Sequence, residues 1–134
     1  MKTRLIDGFT LIELMIVVII IAALASMVAP RLIERSDEAK SKIAEGDIAN
    51  ITLALKLFRL DNDYYPPADQ LRALMAQPSG APNWKGPYLE NEPLDPWKRP
   101  YVYRCPGTHN TGGFDLYSLG REGVEGKGNI VNWK

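Results

Sequence analysis

Residues 9–29 read FTLIELMIVVIIIAALASMVA, and this stretch decides the architecture. A helix of about 21 residues rises roughly 31 Å, enough to cross the hydrocarbon core of a bilayer. No charge falls between Leu14 and Pro30, while Lys2 and Arg4 precede the run. Positive residues stay on the cytoplasmic side of an inserted helix, so the remainder is expected to face outward, which in a bacterium is the periplasm. Glu13 is out of place in the apolar run. A lone carboxylate there costs about 3 kcal/mol and needs a partner.

Three readings of this segment compete. A simple single-pass anchor leaves Glu13 near the headgroups, but anchors have no need of an intramembrane acid. A secretory signal peptide takes Leu14 to Ala22 as its apolar core and Ala23-Leu24-Ala25 as its cleavage site, with Glu13 interrupting the join of basic and apolar regions. The third reading takes MKTRLIDG, residues 1–8, as a short basic leader followed by an apolar helix that stays uncut.

Read that way, GFTLIELMIVVIIIAALA, from Gly8 to Ala25, strongly resembles the prepilin processing motif, which is highly specific. The resemblance implies that a prepilin peptidase cuts after Gly8 on the cytoplasmic side and methylates the new amino terminus of Phe9. Glu13 then becomes the fifth residue of the mature chain, one helical turn from the Phe9 amine. In the family this carboxylate is held to pair with the terminal amine of a neighbouring subunit, offsetting its burial and setting axial register. Removing the leader leaves 14 basic and 15 acidic side chains, a nearly neutral subunit.

The 134 residues suit one small domain, and acids and bases balance at 16 each, so no basic excess points to nucleic acid. Cys105 is the single cysteine and His109 the single histidine, which excludes an internal disulfide and a cysteine-based zinc site. A Cys105–His109 metal pair would need further ligands that nothing nearby marks out, so an ordinary loop or strand position is the better reading. There is no Walker loop, nucleophile elbow or metalloprotease helix signature, and no catalytic residue is expected.

Pro30 frees the carbonyl of Ser26, so a kink or local melting is expected where stem meets exposed helix; an ordinary helix start is the alternative. From Arg31 to about Leu60 the apolar positions Ile43, Ile48, Ile51, Leu55 and Phe58, with Ala39 and Ala44 beside them, predict an amphipathic helix backing onto a globular head. Asp61-Asn62-Asp63 and Tyr64-Tyr65-Pro66-Pro67 close it, and Asp69 is expected to cap a short second helix carrying Leu71, Leu74 and Met75. YVYR (Tyr101 to Arg104) and FDLYS (Phe114 to Ser118) read as strands with alternating faces; Ile130 to Trp133 adds a strand or covers the sheet edge. The expected class is α+β, with three parts: a leader at 1–8, an apolar helix at 9–30, and an amphipathic helix plus head at 31–134.

FRLDNDYYP (Phe58 to Pro66), WKGPYL with DPWKRPYVYRCPG (Trp84 to Gly107), and FDLYSLGREG with NIVNW (Phe114 to Trp133) resemble the major pseudopilin family of type II secretion. The resemblance implies a type IV pilin-like fold and a structural subunit of an inner-membrane and periplasmic filament, the pseudopilus, that drives protein export across the outer membrane. Its implied partners are further copies of itself, minor pseudopilins, the prepilin peptidase and an inner-membrane assembly platform, with Phe9, Glu13 and Pro30 as assembly residues. The alternatives are a type IV pilin of an adhesive, motility or DNA-uptake fibre, and a membrane-tethered domain that never polymerises. The family typically holds its C-terminal loop with calcium. Carried over, Leu119 and Val124 offer carbonyls, Glu122 stands where Asp is usual, and Asn129 replaces a final Asp. Gly128 replaces a further acid and Lys127 brings a positive charge, so either calcium or Lys127 itself is expected to bridge the loop.

Overall fold

The computed structural model describes residues 8–133 and divides into two units, one up to Ser36 and one from Asp37. Apart from Gly8, the expected leader lies outside the described residues.

The first unit is dominated by the start of helix α1, which spans Leu11–Asn62. Every large apolar side chain from Phe9 to Ile33 is exposed, and the helix is long and apolar enough to cross a membrane. A helix apolar on all sides is matched to an apolar surrounding, lipid or other helices, rather than to water. Helix α1 runs through Pro30 without a break, so neither local melting nor a helix start occurs there. Proline removes the one backbone donor that the Ser26 carbonyl would accept and crowds the preceding turn, and the turns on either side carry the helix past it.

In the second unit, α1 turns Ala44, Ile48, Ile51, Leu55 and Phe58 into the core at alternating steps of three and four, the spacing that keeps one helical face together. Ile43 and Ala39, expected on this face, are exposed. Ile43 is one step out of register with Ile48 and Ile51, and Ala44 takes the position instead. The helix closes where the N–H of Asp63, at φ 67°, reaches the Arg59 carbonyl at 2.7 Å. Asp69 also lies in the left-handed region, at φ 60°, and caps nothing. The following segment, Leu71–Leu74, is a single 3-10 turn that begins after Gln70 without a side-chain cap.

Three antiparallel strands follow, β1 (Val102–Arg104), β2 (Asp115–Ser118) and β3 (Ile130–Val131), in the order β1-β2-β3. Val102 pairs with Tyr117, and Tyr117 pairs in turn with Val131. The C-terminal segment is therefore a strand of the sheet. All four residues of β2 are buried, contrary to the expected alternation. Leu116 faces the core with Tyr103 and Phe114, while Tyr117 on the other face lies under Trp133, edge to face at 5.5 Å, and under Arg104. A central strand covered on both faces loses the period-two signal. Two phenols tie the sheet to the rest of the unit: Tyr101 donates to Asp47 at 2.9 Å and Tyr103 to the Pro66 carbonyl at 2.7 Å.

Candidate processing and assembly site

Gly8, Phe9 and Thr10 precede α1 in irregular backbone, so the Gly8–Phe9 bond is outside the helix and accessible. Phe9 is 82% exposed. Thr10 and Glu13 form a reciprocal cap: the Thr10 N–H donates to Glu13 Oε2 at 2.9 Å, and the Glu13 N–H donates to Thr10 Oγ1 at 3.3 Å. This is a capping box, which satisfies two of the free donors at a helix start. Glu13 thus has a partner within its own chain. A shallow groove runs beside it between Gly8, Phe9, Ile16 and Val17. The role of Thr10 was legible in the spacing Thr-x-x-Glu, a signal overshadowed by the apolar run.

The C-terminal loop between β2 and β3 contains the positions carried over as calcium ligands. Leu119 is half-buried, Glu122 and Val124 are exposed, and Asn129 is half-buried with its Oδ1 enclosed and without a hydrogen-bond partner. Lys127 is exposed and makes no ion pair among the described residues. Arg99, not Lys127, reaches carbonyls of the loop: Arg99 Nη1 donates to the Gly120 carbonyl at 2.6 Å and lies 3.4 Å from the neighbouring Arg121 carbonyl. Among the described residues no three acidic, His or Cys side chains gather as a metal site. Glu125 accepts from Tyr117 and from Arg104, the latter at 2.6 Å, and these bonds hold its carboxyl below the usual range. Burial and the bond to Glu125 push the Tyr117 hydroxyl up to about 12. Calcium takes six to eight oxygens and needs negative charge. Two carbonyls, one exposed carboxylate and one amide beside a guanidinium do not fit that demand.

Cys105 and His109 go separate ways. Cys105 is half-buried with Sγ 3.6 Å from the Gly113 carbonyl, whereas His109 stacks on Trp133 at 4.0 Å and sets Nδ1 3.0 Å from Asp115 Oδ2. Asp115 is the centre of this cluster. Its side chain is 1% exposed and accepts from the backbone N–H groups of Thr108, His109 and Asn110 and from Thr108 Oγ1, all within 2.9 Å. Burial alone pushes its carboxyl up, but the donors of His109, Asn110 and Thr108 overcome this and hold it well below the ordinary carboxylate range. Nothing in the spacing of Asp115 marks it as the organiser of this loop.

The chain matches two family descriptions, "Type II secretion system (T2SS), protein G" over residues 31–133 and "Prokaryotic N-terminal methylation motif" over residues 4–29. It is 48% identical to the type II secretion system core protein G of Pseudomonas aeruginosa, with 99% of each chain covered. It is 41% identical to that of Vibrio cholerae, covering 98% of this chain and 94% of the relative. The crystal structure of the major pseudopilin from the type 2 secretion system of enterohaemorrhagic Escherichia coli superposes with a TM-score of 0.67 at 32% identity, covering 76% of this chain and 89% of that one. A membrane-length apolar helix behind a methylation motif and a pseudopilin head on three strands therefore have one common reading: the chain belongs to the protein G family of the type II secretion system.

Proposed function

We propose that this chain is cut between Gly8 and Phe9, methylated on Phe9, and polymerised into a periplasmic pseudopilus that moves folded proteins across the outer membrane. The observation that carries this reading is the apolar surface of α1, exposed on all sides directly behind the accessible Gly8–Phe9 bond. Such a surface is stable in lipid before assembly and against other copies of the helix after it. A second strip supports it: Leu53, Leu57 and Leu60 share the face of α1 turned away from the core and are all exposed. The working parts are contact surfaces, and the reading requires no catalytic group. Glu13 serves as the polar contact in the apolar stem, and Pro30 marks the point where one backbone bond is missing.

In cells carrying the intact export machinery, loss of this chain should strand the exported proteins in the periplasm. Mass spectrometry of the membrane-extracted subunit should find N-methylated Phe9 as its first residue. An uncut leader, or unchanged export without the chain, overturns the proposal.

A further inference from the structure

We propose that the Arg99 guanidinium is the resident cation of the loop from Leu119 to Asn129, so that this loop closes without a divalent ion. Arg99 Nη1 donates to the Gly120 carbonyl at 2.6 Å, and both terminal nitrogens lie 3.4 Å from the Arg121 carbonyl. A guanidinium fork on backbone carbonyls supplies the positive charge and the directionality that a metal would otherwise bring.

The loop backbone is shaped to this group. Gly123 has φ +72°, and a Cβ there would fall 2.6 Å from Arg99 Cζ and 2.8 Å from each terminal nitrogen. Any other residue there is strained by the positive φ and would push the guanidinium out of this position. Gly120, at φ +65°, brings the two ends of the loop together, since a Cβ there would lie 2.3 Å from the Gly128 carbonyl oxygen.

Arg99 is itself held from behind. Its N–H donates to Asp95 Oδ1 at 2.9 Å, and the Asp95 N–H returns to the Arg99 carbonyl at 2.7 Å. The other oxygen of the same carboxylate accepts from Ser118 Oγ at 2.6 Å, and Ser118 Oγ accepts from the Gly120 N–H at 3.0 Å. One buried aspartate therefore positions both the guanidinium and the residue whose carbonyl it binds. Of the nearby acids, Glu125 is engaged with Arg104 and Tyr117 and Asp37 with Arg121 at 2.8 Å, which leaves Glu122 as the one carboxylate of the loop without an ion pair among the described residues. A divalent ion beside the guanidinium would meet repulsion with little carboxylate charge to offset it.

The test uses the full mature chain in detergent micelles and follows tryptic cleavage after Arg121 and Lys127, both exposed in the loop. Wild-type protein should be cleaved at the same rate in EGTA, in millimolar calcium and in millimolar magnesium, and equilibrium dialysis should find no stoichiometric calcium. Arg99→Gln should raise cleavage about tenfold under all three conditions, with Arg99→Lys between it and wild type. Faster wild-type cleavage in EGTA that calcium alone reverses would overturn the proposal, as would wild-type resistance in Arg99→Gln. Should Arg99→Gln fail to fold, the wild-type comparison in EGTA and calcium decides alone.

Discussion

Ser118 donates its hydroxyl to Asp95 at 2.6 Å inside the core, tying the end of β2 to a turn that begins more than twenty residues earlier. Asp95 is 2% exposed and its other oxygen accepts the N–H groups of Trp97 and Arg99 at 3.0 and 2.9 Å. Removing the carboxylate leaves several enclosed donors without an acceptor. Asp95→Ala should destabilise the head by about 3 kcal/mol, and Ser118→Ala by about 1–2 kcal/mol. The two losses should add to less than their sum in urea unfolding, because both act on one network.

Asp115 gives the head an acid-sensitive element. In the folded chain its carboxyl is held well below the ordinary range, against the opposing pull of burial, by the donors of His109, Asn110 and Thr108. As pH falls below about 4–5, the unfolded chain takes up this proton before the folded chain does, so stability declines with acidity. Asp115→Asn should flatten that part of the profile in thermal unfolding between pH 6 and about 3, at a loss of about 2–4 kcal/mol near neutrality. Gly107→Ala should lower stability and partly flatten the profile together, because it pushes the carboxylate off its donors. Its Cβ would lie 2.5 Å from Asp115 Oδ1 and 2.8 Å from the Asn110 carbonyl, an overpacking that costs about 1–3 kcal/mol.

These residues show where the amino-acid sequence speaks and where it does not. The stem was legible because hydropathy and the Gly8–Phe9 junction are local signals, and YVYR and FDLYS were legible because turn residues bracket short apolar runs. Helical periodicity gave the buried face of α1 but misjudged its phase at one turn, since Ile43 outweighs Ala44 in apolar size while Ala44 has the register. Asp69 reads as a cap by residue type, yet a positive φ turns it out of the helix axis. Arg99 and Asp115 were invisible for a different reason. Their partners, Gly120 and the loop at Thr108, come within reach only once the strands have paired, and charge pairing across a loop leaves no period to read.

Lys98 occupies the left-handed region at φ 67°, in the turn that Asp95 closes. A side chain there suffers the contact of Cβ with its own carbonyl, which glycine avoids, while glycine gives the unfolded chain more freedom. Lys98 is exposed, so little packing is lost by removing it. Lys98→Gly should therefore raise stability by about 0.5–1 kcal/mol in chemical denaturation. Lys98→Val, with a branched Cβ in the same conformation, should lower it by a similar amount.

Glu13 has two separable tasks. In the single chain it completes the capping box with Thr10, accepting the Thr10 N–H at 2.9 Å; in the proposed filament it meets the methylated amine of a neighbouring Phe9. Glutamine keeps the first task, because its side-chain oxygen still accepts at that position, and loses the second, because the charge is gone. Alanine loses both and weakens the helix start by about 1 kcal/mol. Both Glu13→Gln and Glu13→Ala should still be cut after Gly8, as mass spectrometry of the amino terminus can show, and both should fail to form fibres under electron microscopy. Fibres of normal abundance from Glu13→Gln alone would assign the residue to capping, and normal fibres from both variants would remove it from assembly altogether.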